Sequence, residues 1–188
     1  MFRFTVLFVF VSITFAQDFV CQSAPSFIRS SGQESSPIDV VIFVSSACPK
    51  CKETAVMFYE MSNTVYSGKI KVSIKPLYKQ LGDIALVAAN NQNKSWELIR
   101  AYSHTSNRIT ADNINELFDE AQINKDKIYE DMKDTALIFS VLKNNYEEAK
   151  KCQMNFTPHI VFDGIIYDGE INAQSIMQYI DKILARSR

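Results

Sequence analysis

IDVVIFVSSACPKC, residues 38–51, is the stretch of sequence that decides the fold. Its first seven residues are almost wholly apolar and rich in β-branched side chains, which predicts a strand buried on both faces of a sheet. Ser45 and Ser46 are residue types that cap helices, and apolar side chains recur at helical spacing through residues 52–66. We therefore expect a helix that starts at the CPKC motif and ends near residues 67–68.

The next segment, KIKVSIKPL at residues 69–77, alternates apolar and polar side chains. Its apolar positions are Ile70, Val72 and Ile74, and its polar positions are Lys71, Ser73 and Lys75. This alternation predicts a strand with one exposed face. A strand, a helix and a second strand in succession imply a parallel pair, so the opening unit belongs to the α/β class.

The remainder of the chain is first helical and then returns to strand patterns. Residues 82–152 carry only helical patterns, with predicted breaks at the Asn pairs 90–91 and 144–145. Residues 159–166, HIVFDGII, are two short β runs around an Asp-Gly turn and predict a hairpin. Residues 173–184 present one apolar face and predict a final amphipathic helix.

Length and composition favour a single globular domain. The chain has 188 residues, 47% of them hydrophobic, which is enough material for one core. We place this domain at residues 38–188, behind a polar, Ser-rich arm at residues 17–37. The 20 Lys and Arg residues and the 21 Asp and Glu residues are spread along the chain, so no basic stripe is available for a phosphate backbone. The sequence therefore argues against nucleic acid as a partner.

Residues 1–16, MFRFTVLFVFVSITFA, form a predicted export signal. A basic residue, Arg3, precedes an apolar run that ends in small residues, as in a cleavable signal peptide. The run is shorter than the roughly 20 residues that span a bilayer, so an uncleaved membrane anchor is the less favoured alternative. The mature protein is expected in the periplasm or another exported compartment, where disulfides persist.

The CPKC motif combines a redox spacing with the predicted start of a helix. Free backbone N–H groups and the positive end of the helix dipole favour an anion there, so Cys48 is the expected exposed nucleophile. Cys51, one turn later, is the expected resolving cysteine. Pro49 suits the first helical turn, and Lys50 adds a positive charge beside the thiolate. A zinc site and a purely structural disulfide are the alternatives, and the first lacks a second CxxC pair.

Thr157 and Pro158 stand immediately before the predicted hairpin and complete a resemblance to a known family. The sequence resembles the DsbA-like group of the thioredoxin superfamily in three features. In chain order they are a CPKC segment after an export signal, a long helical stretch and a late Thr-Pro before a hairpin. The resemblance implies a thioredoxin-like α/β fold with a helical insertion at about residues 82–152, between the second and third strands. It also implies that Pro158 is a cis-proline beside the cysteines and that Thr157 offers its backbone to a substrate strand.

The resemblance carries expectations about partners and cofactors as well. It implies client proteins with cysteines, a membrane redox partner that reoxidises the pair, and a monomer. No metal is expected, and no cofactor beyond the disulfide of Cys48 and Cys51. The sequence departs from the family pattern at Ala47, where an aromatic residue is frequent, and at Phe156, where a glycine is frequent.

Three further residues have two interpretations each. His159 either lies near the thiolate and tunes it, or only packs at the start of a strand. Cys21 and Cys152 either form a second disulfide that ties the arm to the last inserted helix, or stay single, with Cys152 as a small buried hydrophobe.

A protein thiol-disulfide oxidoreductase is the predicted function. The long insertion and Lys50 favour an oxidase that introduces disulfides into client proteins. A disulfide isomerase or reductase is the first alternative, because a threonine before the cis-proline also occurs in such relatives. The second alternative is a non-catalytic thioredoxin-like binding module that keeps the two cysteines of the motif only as a staple.

Overall fold

A mixed five-stranded sheet lies at the centre of the computed structural model, which describes residue 21, residues 23–105 and residues 108–186. The strands are β1 (Ser31–Gly32), β2 (Ile38–Val44), β3 (Ile70–Pro76), β4 (His159–Phe162) and β5 (Ile165–Ile166). Their order across the sheet is β1-β3-β2-β4-β5. The two predicted strands around the first helix are thus β2 and β3, and the short β1 adds an edge strand that arises from the arm.

The described helices are α1 (Pro49–Asn63), α2 (Leu81–Ala89), α3 (Ser95–Ser103), α4 (Ile114–Glu120), α5 (Lys125–Asp131), α6 (Thr135–Lys151) and α7 (Ala173–Arg186), with a 3-10 turn at Asn90–Gln92. Helices α2 to α6 lie between β3 and β4 in the chain, which confirms the predicted helical insertion between the two strands. The predicted final helix is α7.

Strand pairing sets the end of the sheet at which the functional motifs meet. Strands β2 and β3 are parallel, as the strand-helix-strand order predicts, and β4 runs antiparallel to β2. The antiparallel register places His159, the first residue of β4, opposite Phe43 near the end of β2. The chain before β4 and the chain after β2 therefore meet at one edge of the sheet.

The sheet separates two clusters of buried side chains. On one face, here called the α1 face, the strands contribute Val40, Ile42, Val44, Ile160 and Phe162, which pack with side chains of α1. On the other, here called the α6 face, they contribute Val41, Phe43 and Val161, which pack with Ala149 of α6 and with Cys21 and Cys152. Both faces of β2 are therefore covered, as its apolar sequence predicts.

The prediction of an exposed face for β3 is wrong. Ser73 and Lys75 are both buried, and Lys75 is only 1% exposed. Residues of the arm and of α6 cover this face, because the Lys75 ammonium donates to Ser23 and forms an ion pair with Glu148. An alternating pattern predicts that the charged positions face solvent. Here that face of β3 is covered by residues that are far away in the sequence.

Two predicted helix boundaries also differ from the structure. Helix α1 ends at Asn63, several residues early, and the chain then turns so that the Tyr66 hydroxyl donates to Asp181 of α7. The Asn pair at residues 144–145 does not interrupt α6, because Asn145 is buried and its amide donates to the Pro76 carbonyl at 3.0 Å. A polar residue that finds a tertiary partner does not break a helix.

Two local turns follow their predictions. Helix α2 ends at Ala89, directly before the first Asn pair. Asp163 and Gly164 join β4 to β5 with φ angles of 48° and 84°, so both residues adopt the left-handed conformation that a tight two-residue hairpin turn requires.

The predicted export signal at residues 1–16 lies outside the described residues. Within the part of the chain that the structure describes, no helix has both the length and the apolar character needed to cross a membrane.

Candidate active site

The start of α1 holds the CPKC motif. Cys48 is the N-cap of the helix, and its Sγ accepts a hydrogen bond from the backbone N–H of Cys51 at 3.2 Å. Pro49 is the first helical residue, where the missing N–H of proline removes no helical bond. The Cys51 N–H also donates to the Cys48 carbonyl at 3.1 Å, so the sulfur shares a donor at the positive end of the helix dipole.

The loop before β4 brings Thr157 and Pro158 to this sulfur. The peptide bond between them is cis, and the Cys48 thiol donates to the Thr157 carbonyl oxygen at 3.7 Å. The antiparallel register of β2 and β4 accounts for this approach, because the loop after β2 and the loop before β4 lie at the same end of these two strands. Thr157, 109 residues after Cys48 in the sequence, thus forms one site with Cys48 and Cys51.

The two cysteines, both free thiols here, occupy different environments. Cys48 is partly exposed, whereas the Cys51 side chain is 0% exposed within the core of the α1 face. Burial raises the pKa of the Cys51 thiol to about 12, and its hydrogen bond with Cys48 acts in the same direction. Cys51 is therefore protonated at neutral pH, and Cys48 is the sulfur that another molecule can reach.

Lys50 is exposed and not enclosed with the thiol. Its side chain is 53% exposed and forms an ion pair with Glu53, also on the outer surface of α1, at 3.7 Å. Lys52 behaves differently, because it is 3% exposed and its Nζ donates to the Thr105 carbonyl at 2.7 Å. The buried cation at this end of α1 is therefore Lys52.

A buried carboxyl holds the loop that precedes the motif. Asp83, near the start of α2, is 0% exposed, and its Oδ1 accepts the Ser46 backbone N–H at 2.8 Å. Burial raises the pKa of Asp83 to about 7, although hydrogen bonds from Ser46 oppose the shift. Gly82 lies so close that a Cβ there would be 2.6 Å from the Ser46 side chain. The helical insertion and the active-site loop are thus in direct contact.

His159 lies in an aromatic cluster at the start of β4. Its ring is 6.3 Å from Phe43 and 5.9 Å from Phe156, measured between centroids. The side chain is 5% exposed, and burial lowers the pKa of the imidazole, so the neutral form is favoured at neutral pH. These contacts correspond to the packing interpretation of this residue.

Cys21 and Cys152 are joined by a disulfide. Both belong to the buried cluster on the α6 face, whereas Cys51 belongs to the cluster on the α1 face. The backbone N–H of Cys21 also donates to the Gly164 carbonyl in the hairpin turn at 2.6 Å. The disulfide therefore fastens the arm across the sheet from the CPKC motif and is separate from the redox site.

Sequence reasoning missed Lys52 and Asp83. Helical spacing could have indicated Lys52, because it follows Cys48 by four residues and lies on the same side of α1. Asp83 is an acidic residue in the otherwise apolar segment GDIALVAA, and a carboxyl in such a helix needs an explanation. Among the described residues, no cluster of His, Cys, Asp and Glu could hold a metal ion.

Comparisons with known proteins identify the architecture. A protein-family model described as Thioredoxin matches residues 28–182. A thioredoxin-like oxidoreductase from Silicibacter pomeroyi DSS-3 superimposes with a TM-score of 0.73 at 16% identity, covering 92% of this chain and 98% of that chain. A search of curated proteins found no significant match to the sequence.

Two further solved structures have the same fold. The thiol-disulfide exchange protein alpha-DsbA2 from Wolbachia pipientis gives a TM-score of 0.72 at 18% identity, covering 83% of this chain and 87% of that chain. The catalytic domain of Proteus mirabilis ScsC gives a TM-score of 0.73 at 18% identity, covering 88% of this chain and 93% of that chain. The predicted thioredoxin-like fold is thereby confirmed.

Proposed function

Because the chain belongs to the thioredoxin family, we propose that it is an exported thiol-disulfide oxidoreductase that introduces disulfides into client proteins. The observation that carries the proposal is the partly exposed Cys48 sulfur, bound by the Cys51 N–H and close to the Thr157 carbonyl. The Cys51 thiol is the second sulfur of the motif and is buried. This arrangement offers one sulfur for attack and keeps a second for resolution.

In the proposed reaction the enzyme starts with Cys48 and Cys51 joined by a disulfide. A client thiolate attacks the Cys48 sulfur, because Cys51 is inaccessible, and the Cys51 sulfur leaves as the thiolate and takes up a proton. A second client thiolate then attacks the client sulfur of the mixed disulfide and releases the Cys48 thiolate. Counted from its two thiols, the client loses two electrons and two protons; the enzyme gains both electrons and one proton, on Cys51, and the other proton goes to solvent.

The surrounding residues support the two steps. The Cys51 N–H donates to the Cys48 sulfur and stabilises the thiolate that leaves in the second step. The Thr157 carbonyl is an acceptor for a backbone N–H of a client segment bound beside the mixed disulfide. Reoxidation requires a disulfide-bearing or quinone-linked partner, and we propose a membrane redox protein in this role, with the enzyme acting as a monomer.

The test is an equilibrium with glutathione redox buffers, followed by thiol trapping of Cys48 and Cys51 in the purified protein. Oxidation of a reduced client is measured in parallel. We expect a readily reduced pair that oxidises the client in stoichiometric amounts. The Cys48→Ser variant should lose client oxidation. The Cys51→Ser variant should accumulate a mixed disulfide between Cys48 and glutathione, because glutathione disulfide is the oxidant and the resolving thiol is missing.

The remaining functions predict different results in the same experiment. A strongly reducing pair that cannot oxidise the client would indicate a reductase or an isomerase. A pair that exchanges with neither glutathione nor the client would refute thiol-disulfide exchange and indicate a binding module. In that case Cys48→Ser should retain the function of the protein.

A further inference from the structure

Lys52 is a buried lysine that forms no ion pair with a carboxylate among the residues that the structure describes. Its side chain is 3% exposed, and lysines are almost never buried to this extent unless they are paired. The ammonium donates to the Thr105 carbonyl at 2.7 Å, which satisfies one donor but supplies no negative charge. Every ion pair between a lysine and a carboxylate among the described residues involves a lysine other than Lys52. None of these carboxylates therefore compensates the charge of Lys52.

Cys48 supplies an anion when it is ionised. It caps the same helix four residues before Lys52, and the Lys52 backbone N–H donates to the Cys48 carbonyl at 3.3 Å, so the two residues are adjacent across the first turn. Burial lowers the pKa of the Lys52 ammonium, and the charge of Cys48 is the interaction that raises it again. Among the described residues, the cation therefore gains a charge partner when Cys48 is a thiolate and loses it when Cys48 is in the disulfide.

The helical insertion holds Lys52 in place. Thr105 follows α3, and its backbone N–H donates to the Tyr102 carbonyl at 3.3 Å, which continues the last turn of that helix. Helix α3 packs on α1 through the stacked rings of Tyr59 and Trp96, whose centroids are 5.4 Å apart. The carbonyl that binds the ammonium is therefore fixed relative to the cysteines by helix packing.

We infer that Lys52 is a positioning residue for the redox reaction, acting through Cys48, and that it stabilises the reduced pair relative to the disulfide. Lys50, which lies next to the cysteines in the sequence, does not have this role because solvent and Glu53 surround its charge. The inference rests on the proposed function. It makes Lys52 a determinant of how strongly the pair oxidises its clients.

The experiment measures the equilibrium of the full purified protein with glutathione. One glutathione disulfide takes two electrons and two protons from the Cys48 and Cys51 thiols, giving the protein disulfide and two glutathione thiols. Lys52→Met removes the charge and keeps the length of the side chain. We expect the equilibrium constant for forming the protein disulfide to rise about tenfold, because an opposite charge near an ionised group changes its equilibrium by about that factor.

Two further variants separate charge from packing. Lys50→Met is the matched control, and its constant should stay within about twofold of wild type because the residue is exposed. Lys52→Gln keeps a donor for the Thr105 carbonyl without the charge, and we expect it to shift the constant in the same direction as Lys52→Met. Circular dichroism and urea unfolding show whether each variant is folded. If Lys52→Met does not fold, the equilibrium constant of Lys52→Gln tests the inference.

The possible outcomes distinguish this inference from the proposed function. A wild-type pair that does not exchange with glutathione would remove both. A wild-type pair that exchanges, together with folded Lys52 variants whose constant is unchanged, would overturn the role of Lys52 and leave the oxidoreductase intact. An equal shift in Lys50→Met would also overturn it, because the effect would then come from net charge near the motif.

Discussion

Removing the Glu148 carboxylate should destabilise the protein by several kcal/mol. Lys75 is 1% exposed, and its Nζ contacts both carboxylate oxygens of Glu148, at 2.6 and 2.7 Å. It also donates to the Ser23 hydroxyl at 3.0 Å and to the Ala24 carbonyl at 2.5 Å. Glu148→Gln keeps the shape of the side chain and leaves a buried ammonium without an anion, which costs about 3–5 kcal/mol in comparable buried pairs.

The ionisation of Lys75 sets a ceiling on this loss. A lysine with an ordinary pKa of about 10.4 can be neutralised at pH 7 at a cost of about 5 kcal/mol, so the loss should not exceed that value. Burial already lowers the pKa of Lys75 with Glu148 present, and loss of the carboxylate lowers it further. The unfolded chain then binds the proton more tightly than the folded one, so the stability of Glu148→Gln should rise as the pH increases from 7 towards 10.

Urea unfolding at pH 7 and pH 10 measures the effect. Glu130→Gln is the matched control, because Glu130 and Lys133 form an ion pair with side chains 74% and 72% exposed. That control should change the free energy of unfolding by at most about 1 kcal/mol. A loss below about 1 kcal/mol for Glu148→Gln, or a loss that does not shrink at pH 10, would refute the view that an uncompensated buried charge causes it.

Three further predictions concern the arm and the buried groups near the site. Replacing Cys21 and Cys152 together by serine should lower the free energy of unfolding in urea by about 2–5 kcal/mol. The equilibrium of the CPKC pair with glutathione should stay unchanged, because this disulfide lies on the other face of the sheet, and a changed equilibrium would contradict that separation. Burial raises the pKa of Asp83 from 3.8 to about 7, so its contribution to stability is complete below about pH 4 and is lost as the pH rises through 7. Relative to Asp83→Asn, wild-type stability should therefore fall by up to about 1.4 kcal/mol per pH unit in this window, and parallel stability curves for the two proteins would exclude the effect. Tyr102→Phe should cost about 1 kcal/mol in thermal or urea unfolding, because the buried hydroxyl donates to the Gly82 carbonyl at 3.2 Å; an unchanged midpoint would show that this bond contributes nothing.

Local patterns in the sequence were sufficient to predict the central strand and the redox motif. Strand β2 is apolar on both faces, and the CPKC motif that follows it begins a helix, so the place of Cys48 at a helix N-terminus follows from residues that are neighbours in sequence. The approach of Thr157 depends on a long-range pairing of strands, and the resemblance to a family supplied it. Periodicity alone does not specify which strands pair.

The sequence could not indicate which charged residues are buried. Lys75 and Lys52 occupy positions that a strand or helix pattern assigns to solvent, yet both are nearly inaccessible. Their partners, Glu148 and Thr105, lie 73 and 53 residues further along the chain. Burial of a charge is decided by such tertiary partners, and no local pattern carries this information.

The helical insertion contacts the redox motif on both of its sides. Asp83, near the start of α2, binds the backbone of Ser46 two residues before Cys48, and Thr105, after α3, binds the side chain of Lys52 directly after Cys51. The segment between these two contacts therefore fixes the loop that leads into the cysteines and a charge that follows them. If the pair is redox-active as proposed, we expect a change in the packing of α2 and α3 to shift its equilibrium with glutathione without altering either cysteine. The insertion thus both covers the sheet and contacts the residues that flank the two cysteines.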